Sequence, residues 1–283
     1  MNTDRNALIE LRRKTSAGML DCLKVLSESG GDIDRAAALL KERGIAAVEA
    51  RSDRETTEGR VFVRATASQA AMAQIACETD FAARSAPFLA AGEKVLDRAF
   101  AARLSTPDAE TESHIVDLGR VVKENVSLKR LTYVECKAGE RLSAYLHGEG
   151  AIGVILRWTA KGSQAPTDAR LDGFFHDMAL HVAAFAPVFL DEGSVPADYL
   201  HEKAESFRAE IEADPSTRAK PPAMREAIAA GKTRKHIAGV CLLSQGFVRD
   251  EKIAVAETLR RFGAETGLAL AVTGFDRFEV GQG

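Results

Sequence analysis

The chain has 283 residues, 46% apolar and 28% charged, a composition of folded globular proteins with about two domains. Its formal net charge of −3 supplies no broad electrostatic attraction for nucleic acid. No apolar run approaches the roughly 18 residues of a membrane-spanning helix, and residues 1–7 lack a signal peptide's apolar core, so a cytoplasmic protein with no membrane association is expected.

Residues 1–45 read as three short helices. Leu8 and Leu11 edge the first. Thr15 or Ser16 can cap the second, where Met19, Leu20, Leu23 and Leu26 recur at helical spacing. Asp32 is positioned to cap the third, and Gly44 stands where a left-handed terminator belongs. Residues 46–60 are polar and charged and read as a linker. Val61 to Thr66 and Ala71 to Cys77 then form a predicted hairpin, followed by a helix from Ser85 to Phe100. Asp117 to Val126 reads as helix and Leu128 to Cys136 as strand.

A second hairpin, Leu142 to Leu146 and Ile152 to Trp158, turns around Gly148 and Gly150 and leads into a helix from about Leu171 to Phe185. Hairpin plus helix thus occurs twice, a weak sign of internal duplication. Residues 195–236 carry helical spacing (Leu200, Ala204, Phe207, Ile211) with mixed charges and Pro punctuation, which predicts a projecting antiparallel helical hairpin. Ile237 to Leu243 reads as a strand, Asp250 as the cap of a helix closed by Gly263, and Leu268 to Val280 as the last strand. The mixture is α+β with antiparallel sheets. The expected divisions are 1–45, the linker 46–60, a core subdomain 61–140 and a second one 141–283 with the helical hairpin inserted at about 195–236.

The sequence holds no GxxxxGK[ST], strand-linked GxGxxG, GxSxG or HExxH motif. Cys22, Cys77, Cys136 and Cys241 include no CxxC pair and read as small hydrophobes. His176 and His181 miss the i, i+4 spacing of helical metal ligands and lack a third ligand, so at least one of them is expected in the core and no metal or cofactor is expected. His147 falls at a Gly-rich turn, where exposure is expected. A binding protein fits these features better than an enzyme. One stretch stands out: Glu78-Thr79-Asp80-Phe81, at the corner between a strand and a helix, where side chains tend to face outward. Two readings are open there. Thr79 or Asp80 caps a helical turn and Phe81 is core, or the corner presents an acid and an aromatic to a partner.

Several motifs, in register over nearly the whole chain, resemble the bacterial elongation factor Ts family, the guanine-nucleotide exchange factors of elongation factor Tu. They are Arg12 to Cys22, Gly31-Asp32-Ile33-Asp34, Glu78-Thr79-Asp80-Phe81 with Ala86-Pro87-Phe88, His147-Gly148 with Ile152-Gly153-Val154, His181-Val182-Ala183-Ala184, Ser244 to Val248, and Phe278-Glu279-Val280-Gly281. Leu23 stands where lysine is frequent in the family, and Ala151 where arginine is.

The resemblance implies a ubiquitin-associated-like N-terminal domain and elongation factor Tu as partner, either one-to-one or in a higher-order complex of such pairs. It implies that Thr79, Asp80 and Phe81 disturb the partner's Mg²⁺ and phosphate region. Arg12, Met19, Leu20, His147 and Val248 would supply other partner contacts. It implies no covalent chemistry by this chain. A reading from another class makes the first 45 residues a ubiquitin-associated-type adaptor that binds a peptide through Met19 and Leu20, with the rest as scaffold and no exchange activity.

Overall fold

A computed structural model describes residues 5–15, 17–43, 51, 53–162 and 169–282. Three helices come first: α1 (Arg5–Thr15), α2 (Met19–Glu28) and α3 (Ile33–Glu42). Their apolar faces form a closed cluster of Leu11, Ala17, Cys22, Val25, Leu26, Ala36 and Leu40. Asp32 caps α3 as expected, its carboxylate accepting the N–H groups of Asp34 and Arg35, each at 3.0 Å. Thr15 does not cap α2. It closes α1, its hydroxyl donating to the Leu11 carbonyl at 2.7 Å, and Gly18 takes the cap position without a side-chain bond. Ser16 and Gly44 lie outside the described residues.

The remainder is built on two antiparallel sheets. The first has the order β1 (Glu58–Ala65), β2 (Gln69–Cys77), β3 (Val126–Glu135). The second has β4 (Glu140–His147), β5 (Ile152–Lys161), β8 (Ala269–Glu279). Each follows one scheme: a hairpin, then helices, then a third strand beside the hairpin's second. In the first sheet the helices are α4 (Asp80–Arg84), α5 (Ala86–Ala102) and α6 (Ala109–Val122); in the second they are α7 (Ala169–Phe185) and α11 (Val255–Thr266).

Side-chain alternation explains how the layers stack. On β2, Ala71, Ala73, Ile75 and Cys77 face Phe88, Val95, Leu96 and Ala99 of α5, while Ala70 and Met72 face the other way, onto Ile155 and Phe278 of the second sheet. On β5, Val154, Leu156 and Trp158 meet Leu171, Phe175 and Met178 of α7. The order is therefore helices, sheet, sheet, helices, and β2, covered on both faces, is apolar without alternation. Gly153 marks a close approach of the sheets: a Cβ there would lie 2.5 Å from Val61 Cγ1 and 2.8 Å from Met72 Sδ.

Between α7 and α11 the chain makes a helical hairpin, α8 (Ala197–Ala213) and α10 (Pro222–Val240), joined by the short α9 (Pro215–Arg218). Ion pairs Arg208–Glu226 (2.6 Å) and Lys232–Glu210 (2.7 Å) cross it, together with Arg225–Glu212. Its mixed charges therefore pair within the hairpin.

Several expectations are corrected. Ile237 to Leu243 is not a strand: α10 continues to Val240, because Ile237 extends its apolar spacing onto Tyr199 and Leu200 of α8, and a 3₁₀ turn (Leu242–Ser244) follows. Asp250 opens a strand, β7 (Asp250–Ala254), paired with β6 (Gly246–Phe247). α11 starts after it and ends at Gly267, φ +69°, not at Gly263. The helix predicted from Asp117 begins at Ala109, where Asp108 and Thr111 form a reciprocal capping box. β1 opens at Glu58, within the expected linker. Among the described residues no helix is long and apolar enough to cross a membrane.

Candidate partner-binding surface

β2 stops pairing at Cys77, opposite Val126, and the chain turns into α4 within two residues. Thr79 is the N-cap, its hydroxyl oxygen accepting the Ala82 N–H at 3.2 Å. α4 has only one face for the core, and Ala82 and Ala83 occupy it. Asp80, Phe81 and Arg84 are consequently turned away. The capping reading of Thr79 is thus correct, and the core reading of Phe81 is not: its side chain is 83% exposed. Asp80 is half-buried and pairs loosely with Arg84 at 3.7 Å, an i, i+4 contact of little energy at this exposure.

The backbone of the corner is fixed from outside its own element. Glu124 Oε2 accepts the N–H groups of Glu78 and Thr79, each at 3.0 Å, and Oε1 accepts the Thr79 hydroxyl at 2.6 Å. Glu78 in turn accepts the Asn125 N–H at 2.6 Å, with the Arg54 guanidinium 3.2 Å away. The Asn125 N–H, and then Arg54, hold the Glu78 carboxyl below the usual range against the opposing effect of burial. Burial, reinforced by the Glu124 charge, pushes the Cys77 thiol up to about 12, which makes it an inert core group rather than a nucleophile. The sequence placed Glu78 in this corner, but neither its bond to Asn125 nor the part played by Glu124 was legible, because those partners are 45 to 47 positions apart.

His147 closes β4 and is exposed, as its Gly-rich setting predicted. Its Nδ1 lies 3.0 Å from the Tyr145 hydroxyl, and the two rings stack with centroids 6.0 Å apart. The turn beyond it is set by positive φ at Gly148 (54°), Glu149 (55°) and Gly150 (99°). A Cβ on Gly150 would meet the Val61 carbonyl oxygen at 2.9 Å, so this turn sits directly against β1. As a result the two corners are neighbours: Asp80 and Arg84 from one, and Gly148, Glu149 and Ala151 from the other, line one cleft of about 150 Å³ together with Arg60. Arg60 bridges it, reaching Glu149 at 3.5 Å.

The other expected residues lie elsewhere. Arg12 is on α1, and Met19 and Leu20 open α2; all three are exposed, and with Ile9 the two apolar side chains are among the chain's largest exposed hydrophobics. Val248 is half-buried at the β6–β7 turn, against the outer cluster of the second sheet. Its N–H donates to Nδ1 of His181 at 3.1 Å, and His181 Nε2 pairs with Gln245 Oε1 at 3.0 Å. With Nδ1 an acceptor, the proton sits on Nε2 and the ring is neutral. His181 is fully buried, the core member of the His176–His181 pair, while His176 is exposed.

Comparison with known proteins places these features in context. The family model described as Elongation factor TS matches residues 78–282. The protein named Elongation factor Ts in Treponema denticola is 36% identical over 274 residues, spanning 97% of this chain and 96% of the relative. That of Borrelia garinii subsp. bavariensis is 34% identical over 272 residues, 96% of each chain. That of Borreliella burgdorferi strain B31 is 34% identical over 273 residues, again 96% of each.

Proposed function

Because this chain belongs to the elongation factor Ts family, a family of translation elongation factors, we propose that it binds elongation factor Tu carrying GDP and accelerates release of the nucleotide. The observation that carries this reading is Phe81, an aromatic side chain held 83% exposed on a corner whose backbone is pinned by Glu124. A large apolar group kept out of its own core is available to another protein's.

Exchange requires that two ligands of one GTPase disfavour each other. The coupling is reciprocal: whatever this chain does to GDP affinity, GDP does to the affinity for this chain. The sensitive point on the partner is its Mg²⁺. That ion demands near-ideal octahedral geometry at about 2.0–2.1 Å, so a sub-ångström displacement of its ligands weakens it. Burial of Phe81 in an apolar slot of the GTPase domain releases about 1.5–3 kcal/mol, which offsets distortion there. Asp80, beside it, brings a carboxylate into the region that supports the metal. The phosphate-binding loop then loses the arrangement of N–H groups that holds the phosphates. His147, next to the same cleft, extends the contact along one edge of the body. Arg12, Met19 and Leu20 give the N-terminal helices a basic and apolar hold on the nucleotide domain, and Val248 contributes a separate contact. No step forms or breaks a covalent bond on this chain.

Stopped-flow release of a fluorescent GDP analogue from elongation factor Tu tests the reading. The expected result is a release rate that rises with the concentration of this protein and saturates, while excess GDP weakens the complex. A rate that stays at the intrinsic value at every concentration overturns it. Binding that ignores GDP would instead favour the adaptor reading.

A further inference from the structure

The corner that carries Phe81 is held by two carboxylates exchanged between two turns. α6 ends at Val122, and Lys123 adopts the left-handed conformation, φ 60° and ψ 28°. That reversal turns the chain so that Glu124, half-buried, faces the end of β2. There the ladder stops, and the N–H groups of Glu78 and Thr79 have no strand to donate to. Both converge on Glu124 Oε2 at 3.0 Å. Glu78 returns the contact by accepting the Asn125 N–H at 2.6 Å. Bonds from N–H to a carboxylate are about twice as strong as neutral ones. The Thr79 hydroxyl has one hydrogen. It donates this to Glu124 Oε1 at 2.6 Å, which leaves its lone pairs for the Ala82 N–H at 3.2 Å. Glu124 therefore fixes both the backbone direction at residues 78–79 and the orientation of the cap from which α4 starts.

We infer that Glu124 is the positioning residue of the exchange corner: it sets the direction in which Phe81 projects, and so governs the rate of nucleotide release through Phe81. This rests on the exchange function proposed above. Losing Glu124 leaves Ala82, Ala83 and the rest of the core in place, so the fold persists while the corner gains freedom. A loosened wedge lowers the maximal release rate more than the concentration needed for half-saturation, because the remaining contact surface is untouched.

The experiment compares Glu124→Ala, Glu124→Gln, Phe81→Ala and the double variant Glu124→Ala/Phe81→Ala in the full chain. Amide hydrogen exchange at Glu78 and Thr79 is read in the free protein, and release of fluorescent GDP from elongation factor Tu gives the maximal rate and half-saturating concentration. Glu124→Ala is expected to lose protection at both amides and to lower the maximal rate roughly tenfold, short of the ~100-fold that a full ångström of misplacement can cost, because the corner is loosened rather than moved. In the Phe81→Ala background the same substitution is expected to change release by less than about twofold, because positioning has nothing left to position. Glu124→Gln keeps the side chain's shape but offers one acceptor oxygen to three donors, and is expected to fall between wild type and Glu124→Ala. It also carries the test if the alanine variant fails to fold. Wild-type release by Glu124→Ala or Glu124→Gln with protection lost, while Phe81→Ala is slow, overturns the inference alone. So does an equal loss in both backgrounds. Wild-type release by Phe81→Ala removes the exchange reading itself.

Discussion

Replacing Phe81 by alanine separates what the residue does for this chain from what it does for a partner. With 83% of the side chain exposed, truncation removes almost no buried apolar area from the fold. Substitutions of that kind shift stability by no more than about 0.5 kcal/mol. If the ring is buried on elongation factor Tu, the lost transfer energy is about 1.5–3 kcal/mol. At about 1.4 kcal/mol per factor of ten, that is roughly a 10- to 100-fold fall in the second-order rate of stimulated GDP release. The assay pairs a thermal melt with stopped-flow GDP release at sub-saturating protein. A midpoint unchanged within about 2 °C together with the slowed release is expected. Release at the wild-type rate would show that the ring does not act as a wedge. A fall of many degrees in the midpoint would show that the ring supports its own fold, contrary to the exposure seen here.

Other substitutions test separate parts of the structure. Gly153→Ala forces a methyl against Val61 and Met72 between the two sheets, and should cost about 1–3 kcal/mol in a urea melt; a neutral result would mean the sheets can separate freely. Leu20→Ser, at an 83% exposed position, should leave the melt unchanged yet raise the concentration needed for half-maximal GDP release, and unchanged binding would remove α2 from the interface. His147→Ala should likewise weaken binding without loss of stability, and Tyr145→Phe, which removes the hydroxyl beside Nδ1, should give a smaller loss of the same kind; binding by His147→Ala at wild-type strength would exclude that turn from the contact. For His181, burial pulls the folded pKa below its ordinary 6.5, while the Gln245 bond opposes the shift. Between the folded value and about 6.5 only the unfolded chain is protonated, so stability is complete above that range and falls on acidification, by at most about 1.4 kcal/mol per pH unit. Urea melts at pH 7.5, 6.5 and 5.5 should show that slope flattened in His181→Gln, and an unchanged slope would assign the acid sensitivity to other groups.

Short apolar runs made both hairpins legible, the second helped by Gly148 and Gly150 at its turn, and in each sheet helices and a third strand follow. Legibility failed where a run of apolar residues carries no period of its own. Ile237 to Leu243 is such a run, and only its packing on Tyr199 and Leu200 decides that its first half is helical. Asp250 failed for the opposite reason: an acid before an apolar run is equally a helix cap and the first residue of a short strand, and pairing with Gly246 and Phe247 selects the strand. The corner shows the same limit on a smaller scale. Its cap was readable, since Thr79 stands three residues before Ala82. The outward turn of Phe81 was not, because it depends on Ala82 and Ala83 taking the only core-facing positions of α4. Glu124 was beyond reach altogether, as nothing local links it to residues 45 and 46 positions earlier.

Under the proposed function the corner acts as a wedge, and its construction suits that role. A protein that destabilises its partner's nucleotide must keep its own geometry while the partner yields. If the corner were as soft as the slot it enters, the ring would adapt, and the binding energy would be lost to this chain's own rearrangement instead of appearing as negative coupling to GDP. Here the strand behind the corner is covered on both faces, the turn is held by bonds to two carboxylates, and the α4 face below it consists of alanines with no rotamers to change. Rigidity thus comes from the buried double layer, and exposure is confined to the tip. It follows that disturbing the support, by freeing the turn with Glu124→Ala or by forcing the sheets apart with Gly153→Ala, should weaken exchange even though neither residue needs to touch elongation factor Tu. Exchange that survives both substitutions intact would mean that the partner's own flexibility, not the stiffness of this corner, sets the rate.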